Sequence, residues 1–460
     1  MTTTHSTPDL TGLRGPVLRP GDPGYADEVI GFNLAARHTP DVVVGAAGPA
    51  DIVTALRWAS ATGTPVAVQA TGHGANFSVP DGLLITTHRM TEVSVDPSAR
   101  TGTVAAGAKW RHLLHAAAPH GLAALCGSST DVGVVGFTLG GGLPAMGRPC
   151  GFASDLVRSF DVVTPDGVPH TADAEHDTDL FWALRGGKGN VGVVTSLTTE
   201  LIPVDRVLGG GIYCAGEDAE PLLRTWAQWT KTVPPQMCTG FTLLRMPPLP
   251  FIPEPLRGGF FARVAVVFDG TPEDADELLA PLRTAAPVLF DTVEDMPYTE
   301  LDRIYEDPRD PLPARESCLL LRDLSPEAIT AFLGLAGPAD RDFPILMVEI
   351  RHMGGAMSRP VRGEDAVCAR DAEFLLEWVG VPADPDLAVA IESATAALHT
   401  TMAPYGTGHT MVNLHGAPGD ENDRSRAWSP DTYDRLRRTK RSHDPANLLR
   451  YGHAVPPVAA

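Results

Sequence analysis

The stretch Pro65-Val-Ala-Val-Gln-Ala-Thr-Gly-His-Gly-Ala-Asn-Phe77 decides how the rest of the chain is interpreted. It begins as a short apolar strand and continues as a loop with few side chains, in which His73 stands between Gly72 and Gly74. Glycine permits a positive φ and a close approach to a ligand, and successive free N–H groups can hold a pyrophosphate. A glycine turn with a surface histidine would fit the same residues, so the stretch alone leaves both interpretations open.

The segments before this loop predict alternating strands and helices. Residues 41–44 are mostly β-branched, Asp51 can cap a helix that Gly63 ends, and residues 66–68 form a second apolar run. This order predicts a βαβ unit, with the His73 loop at the carboxyl end of a strand. Ligands favour that end of a sheet.

Two further segments are rich in glycine. Residues 126–142 carry too much glycine for a regular helix, and their interleaved apolar side chains predict a buried loop that offers backbone as its contact surface. Residues 187–192 match G-x-G-x-x-G. A predicted helix precedes this motif and a predicted strand follows it, which is the reverse of a nicotinamide dinucleotide fingerprint. We therefore favour a glycine loop laid on a different nucleotide cofactor.

After residue 203, glycine clusters become rarer and longer alternating or helical segments appear. Strands are predicted at 260–268 and 345–351, and helices at 218–233, 272–285, 366–379 and 386–403. These elements predict a second domain, a sheet backed by helices. A basic helix is predicted at 432–441.

Length and charge narrow the class of protein. A chain of 460 residues favours two or three folding units, and a net charge of −20 argues against nucleic acid and anionic membranes as partners. The sequence has no long apolar run and no secretory signal, so we expect a cytoplasmic protein without a membrane span, with a short disordered tail over residues 1–9. The six scattered cysteines lack zinc spacing and predict buried thiols and no metal site.

Four blocks in one order carry a resemblance to a known family: residues 72–74, 131–142, 181–195 and 433–448. The chain resembles the berberine-bridge-enzyme-like FAD-linked oxidases of the vanillyl-alcohol-oxidase superfamily, in particular bacterial members of secondary metabolism. The resemblance implies an α+β fold, in which a PCMH-type FAD-binding domain of two subdomains joins a substrate domain with a mainly antiparallel sheet backed by helices. The implied boundaries are 1–34 for a tail and lead-in, 35–205 for the FAD domain, 206–410 for the substrate domain and 411–460 for a segment that returns to the FAD domain.

The resemblance also implies that His73 carries FAD through a covalent bond to the 8α-methyl group. Many relatives have a second link from a cysteine, but Ser129 occupies that position here, so we expect a single link and a structural role for Cys126. Lys188 stands where relatives often have glycine and is expected to face solvent, and Val132 stands where the family gates oxygen. The residues so assigned to FAD are Gln69, Ala70, Thr71, Gly72, His73, Gly74, Asn76, Phe77, Ser128, Ser129, Val132, Gly133, Gly136, Thr138, Gly140, Gly141, Gly142, Asp155, Gly189, Asn190, Gly192, Val194, Asn413 and Asn447.

The catalytic base implied for carbohydrate-oxidising relatives is a tyrosine in a Tyr-x-Asn segment, and Met411 replaces it here. Glu349 is the better candidate, because strand alternation puts it on one face with Arg351 and burial would raise its pKa toward that of a useful base. The alternative is a surface ion pair between Glu349 and Arg351. Tyr213 is a second candidate for the cavity, whereas His352 points to the opposite face.

The resemblance, together with these residues, implies an FAD-dependent oxidase. It would take a hydride from a small hydroxylated or amine-bearing natural product and pass electrons to O2, giving H2O2. A dehydrogenase with another acceptor, an oxygenase or cyclase on the same scaffold, and a non-catalytic flavin-holding protein remain alternatives. The expected partners are a small-molecule substrate and O2, and the expected assembly is a monomer or a homodimer.

Overall fold

The computed structural model describes residues 9–250, 252 and 254–459. The tail expected over residues 1–9 lies, apart from Asp9, outside the described residues. The fold class predicted from the sequence is confirmed: three sheets and their helices form an α+β protein. The first two sheets carry the glycine-rich segments, and the third, which is the largest, covers them.

The first sheet has the order β1-β2-β4-β3. The predicted strand–helix–strand unit is present, and β4 lies between its two strands in parallel with both. Helix α2 ends at Gly63 as expected, with φ +68°. It begins at Pro49 rather than at a cap on Asp51, because the Asp51 carboxylate accepts hydrogen bonds from the backbone N–H groups of Arg14, Gly15 and Ala47. The elements are β1 (Val17–Leu18), α1 (Tyr25–Val29), β2 (Val42–Gly45), α2 (Pro49–Thr62), β3 (Val66–Gln69) and β4 (Leu83–Thr86).

The second sheet is antiparallel, with the order β5-β6-β9-β7-β8. The expectation that residues 126–142 form only a loop was wrong, because a short helix, α4, lies inside them. Of the glycines there, only Gly136 lies within that helix, and Gly133 and Gly140 bound it. The elements are β5 (Val93–Asp96), β6 (Thr101–Ala105), α3 (Trp110–Ala117), α4 (Val134–Leu139), α5 (Gly147–Cys150), β7 (Val157–Val163), β8 (Pro169–Asp173), α6 (Thr178–Leu184) and β9 (Val193–Glu200).

The third sheet is antiparallel and has the order β13-β10-β12-β11-β16-β17-β15, with β14 also paired to β10. Helices α7, α8, α10 and α11 bury one of its faces in an apolar core, and the other face turns toward the first two sheets. The elements are β10 (Arg206–Ala215), α7 (Ala219–Trp229), β11 (Met237–Arg245), β12 (Phe260–Phe268), α8 (Pro272–Ala285), β13 (Val288–Asp291), β14 (Glu294–Pro297), α9 (Asp302–Tyr305), β15 (Arg315–Leu321), α10 (Pro326–Ala336), β16 (Met347–His352), β17 (Phe374–Gly380) and α11 (Pro385–Met402).

The helix predicted over residues 366–379 was wrong, because the second part of that segment is the strand β17 and the first part has only a single 3-10 turn at Ala369–Asp371. The strand lies between β16 and β15 with nearly every residue buried, so it lacks the alternation of polar and apolar residues that identifies a half-exposed strand. A single acid, Glu377, within the apolar run resembled the polar face of a helix.

The C-terminal segment returns to the first two sheets through α12 (Glu421–Ser425) and α13 (Pro430–His443). Beyond α13, the Val66 N–H donates to the Leu448 carbonyl, which attaches the tail to β3. The buried Lys440 pairs with Asp444 at 3.0 Å and donates to the carbonyl of Asn190 at 3.1 Å. These contacts place the tail beside the glycine-rich segments.

Candidate active site

The loop after β3 depends on the backbone conformation of Gly72. Gly72 has φ +75°, and a Cβ there would lie 2.6 Å from the Cα of Gly31, so no larger residue fits. The positive φ also expected at Gly74 was wrong, since that residue lies outside the left-handed region. Gly74 is instead exposed, and among the described atoms none lies within 4 Å of a Cβ built on it.

His73 is held firmly in this loop. Its ring stacks on Phe32 with centroids 3.8 Å apart, and its Nδ1 lies 2.9 Å from the Thr71 hydroxyl. Its Nε2 is buried and has no hydrogen-bond partner in the described part of the chain. Burial, followed by the charge of Lys109, lowers the pKa of His73 to about 4, although Asp131 acts in the opposite direction. The imidazole is therefore neutral at physiological pH.

The second glycine-rich segment packs against this loop. A Cβ on Gly133 would lie 3.6 Å from the side chains of both Ala70 and Thr71, so the two segments touch there. Gly136, on the exposed face of α4, has no described atom within 4 Å of the position of a Cβ. Val132, the residue before Gly133, is half-buried.

The serines of this segment have different partners. The Ser129 hydroxyl accepts from the Asp131 N–H at 3.3 Å, and the Asp131 carboxylate pairs with Lys109 at 3.0 Å. Ser128 hydrogen-bonds to Asp307, which belongs to the chain after α9. Cys126 is fully buried, and burial raises the pKa of its thiol to about 12, which agrees with a structural role.

Residues 187–192 and the tail border, on the far side, the space beside the His73 loop and α4, which we call the groove. The Lys188 N–H donates to the carbonyl of Leu139 at the end of α4. The Asn190 amide donates to the Gly187 and His453 carbonyls, at 2.8 and 3.3 Å. The expectation that Lys188 faces solvent was wrong: it is half-buried, and burial lowers its pKa to about 8 despite the nearby Glu316. Gly189 has open space around it except for one carbonyl oxygen, 3.7 Å from the position of a Cβ.

Three side-chain amides from separate segments near the groove each have an oxygen without a hydrogen-bond partner in the described structure. The Asn413 amide donates to the Phe137 carbonyl at 2.8 Å, and a Cβ on Gly140 would collide with its Oδ1. Asn447 has φ +52° beside the attachment of the tail to β3. The Oδ1 atoms of both asparagines and the Oε1 atom of Gln69 are buried without a hydrogen-bond partner among the residues described.

Several other residues assigned from the sequence are committed to packing or to other elements. The Thr138 hydroxyl donates within α4, and Val194 lies in a buried core. Asp155 is fully buried and pairs with Arg370 at 2.7 Å. The remaining residues of this group are Asn76, which donates to Glu316 at 2.8 Å; Phe77, packed against Tyr451 and Gly452; Gly141 with φ +95°; Gly142 with φ +72°, against the Phe137 ring; and Gly192, against Val162.

The groove suits a dinucleotide. Gly74, Gly136 and Gly189 offer bare backbone from three separate segments. Around them, the side-chain atoms without a hydrogen-bond partner in the described structure include Nε2 of His73 and the three amide oxygens of Gln69, Asn413 and Asn447. Buried polar atoms are normally satisfied, so these atoms indicate a polar ligand that contacts all four segments.

The third sheet turns a polar row toward this groove. Strand register aligns Tyr213, Arg263, Thr242, Glu349 and Glu377 across β10, β12, β11, β16 and β17. Directly opposite residues share a face of the sheet. The face is also tied to the second segment, because Ser128 binds Asp307.

Glu349 is the fourth of the five residues in this row, beside Glu377. It is 1% exposed, and its Oε2 accepts from Arg351 Nε at 2.9 Å. Burial alone would raise its pKa, but Arg351 and a hydrogen bond from Glu377 outweigh burial and lower it. The raised pKa expected from the sequence was therefore wrong. The alternative ion pair with Arg351 exists, but it is buried rather than on the surface.

Tyr213 shares the face but lies far from Glu349. Three strand spacings separate the two residues, which is about 14 Å. Its hydroxyl donates to Glu306 at 3.4 Å, and its ring stacks on Phe290 with centroids 4.3 Å apart. The structure thus places Tyr213 at the apolar end of the row. His352, on the opposite face as predicted, lies 2.7 Å from an Arg148 nitrogen.

Sequence reasoning missed three residues at this face. Glu377 was hidden by the predicted helix, and Tyr305 and Asp307 lie in a segment without a recognisable pattern. Arg351 stands over the Tyr305 ring at 5.5 Å, and burial raises the pKa of Asp307. Pairing of β17 with β16 would have identified Glu377, but neither strand shows that pairing in sequence.

A cleft of about 460 Å3 opens beside the His73 loop. Ala75 and Asn76 form one wall, and Glu316, His399 and His415 belong to another. Glu316 lies on the same sheet face as the polar row, because it stands opposite Val379 of β17, two residues beyond Glu377. The cleft therefore leads from the surface toward both the loop and the sheet.

Two searches of the described residues were negative. Over that part of the chain, no group of three or more His, Cys, Asp or Glu side chains is placed to hold a metal ion. No helix there has both the length and the apolar character needed to cross a membrane.

Comparisons with known proteins agree with this geometry. The sequence profile of an FAD binding domain matches residues 40–173. The chain is 25% identical to YgaK, an uncharacterised FAD-linked oxidoreductase of Bacillus subtilis, over 98% of both chains. It is 26% identical to (R)-6-hydroxynicotine oxidase of Paenarthrobacter nicotinovorans, over 97% of both. The solved structure of a chitooligosaccharide oxidase superposes with a TM-score of 0.85 at 18% identity, covering 98% of this chain and 99% of that one.

Proposed function

We propose that the chain is an FAD-linked oxidase of the berberine-bridge-enzyme-like type that carries FAD covalently on His73 and uses O2 as its acceptor. Its substrate would be a small hydroxylated or amine-bearing natural product. The observation that carries this proposal is the placement of a neutral histidine beside a glycine-lined groove, covered by a sheet face with an ionised buried acid. When bound, FAD supplies a two-electron acceptor for a hydride and passes the electrons on to O2, giving H2O2.

The histidine is suited to attachment. A neutral imidazole keeps a nucleophilic lone pair, and the low pKa of His73 maintains that state through the physiological range. Stacking on Phe32 and the contact between Nδ1 and Thr71 fix the plane of the ring. A fixed, unprotonated nucleophile supports a single link through His73, and Ser129 offers no thiol for a second one.

The sheet face supplies a proton acceptor. Glu349 is ionised, and its Oε1 is buried without a hydrogen-bond partner among the described side chains and backbone. Such an oxygen can accept the proton of a substrate O–H or N–H group while the hydride leaves the adjacent carbon. Arg351 holds the other oxygen at 2.9 Å and so fixes the orientation of the carboxylate.

The same face suggests the kind of substrate. Tyr213, Phe261 and Phe290 form an apolar, aromatic end of the face, and Glu349 lies toward the other end. An aromatic or alicyclic molecule with one hydroxyl or amine group matches both parts. The relative that oxidises (R)-6-hydroxynicotine makes cyclic amines the first substrates to try.

The test is oxygen consumption and peroxide release with a panel of cyclic amines, benzylic alcohols and hydroxylated aromatics. The proposal expects at least one compound to bleach the flavin and then to yield one H2O2 per O2 consumed. Bleaching without oxygen uptake would indicate a dehydrogenase with another acceptor. No bleaching by any compound, together with an unchanged flavin in Glu349→Gln, would favour a flavin-holding protein.

A further inference from the structure

A second buried acid stands beside Glu349. Glu377 on β17 lies directly opposite Glu349 on β16, and the Cβ atoms of such cross-strand neighbours are typically about 5 Å apart. Both side chains are almost completely buried. Two like charges at that separation disfavour double ionisation, so the pair needs compensation by a cation or by a proton.

Arg351 supplies one positive charge to this pair. Its Nε donates to Glu349 Oε2 at 2.9 Å, and its Nη2 lies 2.8 Å from Glu377 Oε1. The other buried arginine of the face, Arg263, donates to the Thr242 hydroxyl and to the Tyr305 carbonyl instead. The charge of Arg263 also acts on Glu349 and on Asp307. Three acids, Glu349, Glu377 and Asp307, therefore face two guanidinium groups, which leaves one negative charge in excess.

A proton removes that excess. Glu349 Oε1 is buried and finds no hydrogen-bond donor in the described structure when both acids are written as carboxylates. An O–H on Glu377 would supply that donor, and the side chains are placed for a hydrogen bond between the two carboxyl groups. A carboxylate oxygen has two lone pairs, so Oε1 can still accept the substrate proton through the second one.

We propose that Glu349 and Glu377 hold one proton between them, resident on Glu377, and that Glu377 is a positioning residue that keeps Glu349 ionised as the proton acceptor. The acceptor role rests on the proposed function, whereas the shared proton does not. During substrate oxidation the substrate O–H or N–H proton would pass to Glu349, so that the pair goes from one proton to two. The added proton then returns to water, and no electrons move within the pair.

The surroundings of the pair are consistent with this assignment. Burial, in the first place, and the negative charge of Glu349 raise the pKa of Glu377 well above its ordinary value, although Arg351 opposes them. The charged and titratable groups that face the pair from the neighbouring elements are Arg263 on β12, Arg351 on β16, Glu316 and Cys318 on β15, Tyr213 on β10, and Tyr305 and Asp307 at and after α9.

The experiment is an infrared titration of the holoenzyme labelled with 13C at the glutamate carboxyl groups, which needs no substrate. All proteins carry Glu316→Gln, because burial also raises the pKa of Glu316. We expect one protonated-carboxyl band that survives to at least pH 7 and disappears in Glu377→Gln. The surface variant Glu273→Gln, on an exposed turn of α8, is the matched control and should keep the band.

Glu349→Gln tests whether the proton is shared. Removal of the neighbouring charge should move the midpoint of the band down by about one pH unit or more. A missing band at pH 7, a band that survives Glu377→Gln, or a midpoint that Glu349→Gln leaves in place would each overturn the proposal. An intact band and shift in a protein that oxidises nothing would instead count against the proposed function alone.

Discussion

The substitution Gly136→Ala separates the stability of the protein from its affinity for FAD. Gly136 lies inside α4, and no described atom is within 4 Å of the position that a Cβ would occupy. Replacing glycine by alanine in a helix interior stabilises by about 0.5–1 kcal/mol. We therefore expect the flavin-free protein to gain about that much free energy of unfolding.

The same methyl group should weaken cofactor binding. If FAD occupies the open space beside Gly136, the methyl group must push the ligand or the helix aside. Overpacking of this kind costs about 1–3 kcal/mol, which raises a dissociation constant by about 5- to 150-fold. The two effects have opposite signs, so a general loss of folding would not produce both.

The assay is a fluorescence titration of FAD into flavin-free protein, with denaturant unfolding of the same samples. His73→Ala serves as the background, so that binding remains reversible. Gly334→Ala is the matched control, because Gly334 is an exposed glycine inside α10 that also has no described atom within 4 Å of a Cβ. It should stabilise similarly and leave FAD affinity unchanged. Equal FAD affinity for Gly136→Ala and the background would refute the placement of the cofactor against α4.

Three further predictions address the histidine and the acids. Because the pKa of His73 is about 4, the rate of flavin attachment to flavin-free protein should be flat from pH 6 to 8 and fall as pH drops toward 4, where protonation removes the lone pair; a midpoint near the ordinary histidine value would contradict this. Glu349→Gln should slow anaerobic flavin reduction by about two to four orders of magnitude while Glu273→Gln does not, and equal rates would exclude Glu349 as the proton acceptor. Arg351→Met should lower the free energy of unfolding by about 3–5 kcal/mol because it leaves buried carboxyl groups unpaired, whereas Arg303→Met, which breaks an exposed pair, should cost no more than about 1 kcal/mol.

Local patterns in the sequence predicted the parts of the fold that local interactions determine. The α2 helix and its end at Gly63, and the bounds of β12 and α8, follow from periodicity, turn residues and caps. The His73 loop was identified in the same way, because its glycines and its strand are adjacent in the chain. The identity of the cofactor was inferred from the family resemblance.

The features that the sequence did not predict depend on contacts between residues that are distant in the chain. β17 is stabilised by β16 and β15 on its two edges, and its own residues satisfy a helical pattern equally well. Glu377 therefore went unnoticed, and the pKa of Glu349 was given the wrong direction, because the direction depends on Arg351 and Glu377 together. Lys188 was placed in solvent for a similar reason, since the charged groups near it are Glu316 and His453 of the tail, both distant in the chain.

The measurement that most directly tests this account is mass analysis of proteolytic peptides from acid-denatured, purified protein, together with its absorption spectrum. We expect the flavin spectrum to stay with the polypeptide, the peptide that contains His73 to carry the mass of FAD, and Ser129→Ala to change neither result. A colourless protein, or flavin released entirely into the acid supernatant, would contradict the assignment of His73 as the point of attachment.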